Sequence, residues 1–122
     1  MGINSTEVSY GFGQLGSMMC SDTGANKPPT GKVFVAVTML TDCTFDNTGG
    51  LVADNDAANG LEYIGTDAAA HDLGAGAATA VSGEGGTAVS STITFPKGVT
   101  IYGRWTEIEV QGGEHCIAYI GK

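Results

Sequence analysis

The chain has 122 residues, room for one domain of ordinary size. Thirteen Asp and Glu face five Lys and Arg, a net charge of −8; this argues against nucleic acid and anionic membrane surfaces as partners, because both are bound through Lys and Arg. Glycine supplies 20 residues, more than twice the average share of about 7%, so folding loses extra backbone entropy and stability must rest on compact strands or on neighbouring subunits.

Residues 1–30 hold neither a helical nor a strand period. Between residues 10 and 19 (YGFGQLGSMM) apolar side chains alternate irregularly with glycine, which holds a helix poorly. Tyr10, Phe12, Leu15, Met18 and Met19 therefore need burial elsewhere. The segment reads either as an extended arm lying on another surface, such as a second subunit, or as a loop folded over its own core. Lys27-Pro28-Pro29 favours extended or turn geometry and closes it. The organisation expected is an arm over 1–31 and a β domain over 32–122, with deletion of 1–30 leaving that domain folded. The first residues carry neither the basic nor the apolar region of a secretory signal, so synthesis and assembly in a cytosol are expected.

Residues 33–40 (VFVAVTML) form the longest apolar run, with both faces apolar, as in a central strand. Short strands are predicted at 51–53 and 61–64, around an Asp- and Asn-rich loop at 54–60. Residues 68–70 could hold one helical turn. Residues 73–87 are poor in bulky side chains and read as a surface loop. Three strands follow at 92–95, 99–110 and 114–120, separated by Pro96-Lys97-Gly98 and Gln111-Gly112-Gly113, with apolar and polar residues alternating. Strands at short intervals without a convincing helix predict an all-β fold: an antiparallel β-sandwich or jelly-roll-like barrel with an extended N-terminal arm.

Chemistry finds little footing. There are two histidines, His71 and His115, and neither HExxH, GxSxG nor a P-loop occurs. His115 and Cys116 are adjacent in a predicted strand and point to opposite faces, so they cannot share a metal there. Asp54, Asp56, Asn59 and Glu62 could surround a structural calcium ion, although turn formation accounts for the same residues without one. No cofactor and no enzymatic activity are expected. Cys20, Cys43 and Cys116 are odd in number and lack CxxC spacing; they read as buried apolar residues, an internal disulfide being the alternative. In the 99–110 strand Tyr102 and Arg104 share a face and Trp105 takes the other. Aromatic and Arg side chains are enriched at interfaces, which makes all three candidates for contact with a partner. A core anchor for Trp105 and a solvated cross-strand pair for the others are the plainer readings.

The run from residue 93 to 108 (ITFPKGVTIYGRWTEI), a Gly turn, and then residues 116–121 (CIAYIG) resemble small virion proteins of tailed bacteriophages, particularly marine ones. Those proteins carry a strand ending in Phe-Pro-x-Gly, an x-Ile-x-Gly-x-Trp strand and a final Ile-Ala-Tyr. The resemblance covers about a quarter of the chain and contains no catalytic signature. It implies a structural role in the particle, as a capsid decoration (cement) protein on the outer head surface. The partners implied are the major capsid protein and further copies of this chain in a homotrimer, with assembly in the host cytoplasm. A host-attachment or fibre- or tail-associated module is the alternative.

Overall fold

A computed structural model of the chain describes residues 14–21, 24–47, 49–54, 63–66 and 88–122. Five strands, β1 (Ser17–Ser21), β2 (Val33–Met39), β3 (Leu51–Ala53), β4 (Thr100–Ile108) and β5 (His115–Gly121), form one sheet in the order β1-β5-β2-β4-β3. Every neighbouring pair is antiparallel, and no described residue is helical. The fold is thus all-β and antiparallel. The described residues hold one sheet.

The apolar run of β2 lies at the centre of the sheet, between β5 and β4. Its register slips between Phe34 and Ala36, so Val35 is an extra residue in the strand. The bulge lets Phe34, Val37 and Met39 join one core despite their uneven spacing. Cys20 of β1, Leu51 of β3, Trp105 and Ile108 of β4, and Cys116, Ala118 and Ile120 of β5 share that core. Two antiparallel bridges outside the strands, Cys43 to Phe95 and Phe45 to Val110, contribute four further residues to the same cluster. Phe45 and Phe95 meet edge to face, with ring centroids 5.3 Å apart.

Three segments differ from the sequence expectation. Residues 92–95 are not a strand; only Phe95 pairs. Upstream of it the Ser90 and Thr92 hydroxyls hydrogen-bond each other at 2.7 Å, and Ile93 N donates to Ser90 O at 3.1 Å. Local Ser/Thr bonding of this kind turns a chain that β propensity would extend. Tyr63 and Ile64 are likewise outside any strand, residues 61 and 62 lying outside the described residues. Conversely, residues 17–21 of the expected arm are strand β1, aligned with β5 from Ser17 opposite Tyr119 to Ser21 opposite His115. Gly16 enters it at φ +101°, a conformation suited to glycine, and its carbonyl accepts from Ile120 N at 2.9 Å. The arm and the domain therefore meet within one sheet, while residues 1–13 of the arm, with Tyr10 and Phe12, lie outside the described residues.

Candidate functional site

One face of the sheet packs into the core and the other presents side chains outward. Strand pairing assigns the outward row residue by residue. Met19 lies opposite Ile117, and Ile117 opposite Thr38. Thr38 lies opposite Thr100, their hydroxyls 2.8 Å apart. In the next row Ser17 faces Tyr119, Tyr119 faces Ala36, and Ala36 faces Tyr102. Ala36 is buried between the two tyrosine positions. Met19 and Tyr102 stay 65% and 61% exposed. Two large apolar side chains left this open on a regular sheet are the feature of the molecule most suited to a partner.

Arg104 belongs to the same face and has a structural task. Its Nε and Nη2 donate to Asp54 Oδ2 at 3.3 and 3.2 Å, and its Nη1 donates to Lys122 O at 2.7 Å. Asp54 N returns a bond to Arg104 O at 2.9 Å. The guanidinium so ties the end of β3 and the last residue to β4. This also engages Asp54, the described member of the carboxylate cluster considered for calcium; Asp56, Asn59 and Glu62 lie outside the described residues. Among the described residues no group of three or more His, Cys, Asp or Glu is placed to hold a metal ion.

Trp105 takes the core side. It is fully buried, and its Nε1–H donates to Ile64 O at 2.7 Å. Its surface serves the domain's own packing and is not presented to a partner. Met18 likewise packs against the core, while Leu15 is exposed in the turn before β1. Of the expected interface residues, Met19, Tyr102 and Arg104 share the outward face. Ile117 and Tyr119 extend it and were missed by the sequence reading. Their signal was the alternation of residues 115–120, whose odd positions oppose the buried Cys116, Ala118 and Ile120.

The three thiols converge on the opposite, core side. Cys20 and Cys116 are register partners on β1 and β5, both fully buried, and Cys20 Sγ lies 3.9 Å from Met18 O. The Cys116 contact holds Cys20 below its ordinary pKa, against burial, which acts the other way. The same contact, with burial, raises Cys116. Cys43 Sγ lies 3.3 Å from both Thr41 O and His115 O, within reach of either as acceptor, and burial raises its pKa. His71 and the Gly-rich run 73–87 lie outside the described residues.

No described helix is long and apolar enough to cross a membrane. No family model matches this chain, and neither a curated protein nor a solved structure matches it.

Proposed function

We propose that the protein is a non-enzymatic structural protein of a tailed-phage particle, a decoration (cement) protein that binds the capsid surface and mediates contacts between subunits. The observation that carries this reading is the outward sheet face, with Met19 and Tyr102 exposed beside Ile117 and Tyr119. The phage-like run from residue 93 to 108 includes β4, which supplies Tyr102 to that face. The partners in this reading are the major capsid protein and further copies of the chain. The finer architecture, a sandwich or jelly-roll-like barrel with an N-terminal arm, belongs to the same proposal; the Cys43–Phe95 and Phe45–Val110 bridges would be its second layer.

Size constrains how such a protein would hold on. Five strands of three to nine residues, about 4.8 Å apart, give a face of roughly 500 Å². A stable interface takes about 800 Å² from each partner. The face alone therefore makes a weak contact. A homotrimer supplies three such faces and multiplies affinity through effective concentration. Binding across capsomer joints would then stabilise the shell by mass action. The net charge of −8 suits the outside of a head better than contact with packaged DNA.

The test is sedimentation of the purified protein with procapsid-like shells, mature heads and host cells in parallel, using wild type and Met19→Asp. The expected result is stoichiometric binding of wild type to heads, lost in the variant. Binding to cells and not to heads would replace this reading with host attachment.

A further inference from the structure

Cys20 and Cys116 have a relationship that the docking surface does not use. They are 96 positions apart in sequence and directly opposite in the β1–β5 register, both fully buried on the core side. The phase of the ladder follows from Ile120 N donating to Gly16 O at 2.9 Å. Continuing the register makes Gly16 and Ile120 a hydrogen-bonded pair, and Cys20 and Cys116, four residues further on, fall in the same class. Such pairs hold their Cα atoms about 5.5 Å apart, inside the span of roughly 4.4–6.8 Å that a disulfide bridges. Side chains in this class stand further apart than in the alternate class, so closure draws the two strands together.

We propose that Cys20 and Cys116 are a dithiol site that a low-molecular-weight disulfide oxidises to a cross-strand disulfide, locking edge strand β1 to β5. The Cys20 thiolate attacks one sulfur of the small disulfide, forming a mixed disulfide and releasing one small thiol. The Cys116 sulfur then attacks Cys20 Sγ, forming the Cys20–Cys116 bond and expelling the second small thiol. The two protein thiols give up two electrons and two protons, and the small disulfide is reduced to two thiols.

Access comes through β1. Among the described residues it is an edge strand of five residues paired with β5, and such strands open locally at far lower cost than the whole domain. Cys43 differs from the pair in that its backbone bridges to Phe95 and no cysteine stands opposite it in the register. In a reducing cytosol the site stays open, and in an oxidising exterior it closes. The bond would close a loop of roughly 100 residues, the size class in which cross-links restrict the unfolded chain most. This inference stands whatever the protein binds.

The experiment equilibrates the reduced full-length protein with oxidised and reduced glutathione at several ratios, without denaturant. Non-reducing peptide mapping and thermal melts follow. The expected product is a single Cys20–Cys116 linked peptide lacking two hydrogens, with Cys43 free and the Tm raised by on the order of 10 °C. Cys43→Ala should give the same linkage. A link through Cys43, glutathione adducts alone, or three free thiols in the folded protein at oxidising ratios would each overturn the proposal.

Discussion

Gly103 leaves the space that Trp105 fills. A Cβ at Gly103 would stand 2.7 Å from Trp105 Cζ2 and 3.0 Å from Cη2, so the indole occupies the position a side chain would take two residues earlier on the same face. Glycine inside a strand ordinarily costs about 0.5–1 kcal/mol relative to alanine. In β4 that order is reversed, because the ring is held by its bond to Ile64 O and cannot step aside freely. Gly103→Ala should destabilise the domain by about 1–3 kcal/mol. The reading is the urea midpoint at unchanged m-value, and a stabilised variant would refute the contact.

Glu114 secures the turn before β5. Its Oε1 accepts from Thr44 N at 2.8 Å and Gln111 N at 3.1 Å, and the Thr44 hydroxyl approaches both carboxylate oxygens. Glu114→Ala leaves Thr44 N without its acceptor and Gln111 N with only its longer bond to Thr44 O at 3.3 Å, at a cost of about 1–3 kcal/mol. Glu114→Gln keeps one acceptor and should lose roughly half as much. Amide exchange at Thr44 and Gln111 should quicken in the Ala variant before exchange elsewhere does; uniform change across the chain would assign Glu114 a different role.

Alkaline pH should weaken the reduced protein through its thiols. Burial raises Cys43, and the Cys20 contact together with burial raises Cys116. When the folded pKa lies above the unfolded one, the unfolded chain gives up its proton first as pH rises. The stability these two thiols supply is therefore complete below the ordinary thiol value of about 8.5 and declines above it. Cys20, shifted downward, offsets part of the decline. Urea midpoints under reducing conditions should hold steady between about pH 7 and pH 8 and fall beyond about pH 8.5. Cys43→Ala should make the fall shallower, and an identical slope in that variant would count against Cys43's share.

Truncation should separate the arm from the sheet. Removing residues 1–13 takes away no described strand. Removing residues 1–30 deletes β1 with Met18 and Cys20, uncovers the edge of β5, and takes away Asn26, which exchanges backbone bonds of 2.9 Å with Ile108. The longer deletion should lower the Tm and promote association through the exposed edge. This outcome would run against the expectation that a domain starting at residue 32 stands alone. A 1–30 deletion that melts like the full chain would restore it.

Much of the sheet was legible because alternation is a local property. Residues 99–110 and 114–120 carry period-two patterns, and β4 and β5 fall within them, with Trp105 inward and Tyr102 outward. The apolar run of β2 likewise signalled a strand, and it lies at the centre of the sheet. Its bulge at Val35 was not legible, because an inserted residue shows only against a partner's register. Strand β1 escaped for a related reason: Ser-Met-Met-Cys-Ser has no alternation, and its extension depends on bonding to β5. The candidate face was half visible, as Tyr102 and Arg104 shared it by parity while Ile117 and Tyr119 became its neighbours through β2.

By itself the sequence determined the class: short strands punctuated by Gly and Pro, in a chain of acidic net charge. These follow from composition and from side-chain periods that a short segment carries unaided. The tertiary structure decided which segments lie side by side. It placed Arg104 on Asp54, 50 residues away, and Cys20 opposite Cys116. It also gave Trp105 the carbonyl of Ile64. Antiparallel pairing joins residues remote in sequence, and its register is chosen by the burial of a whole face at once, a sum over the sheet that no single segment contains.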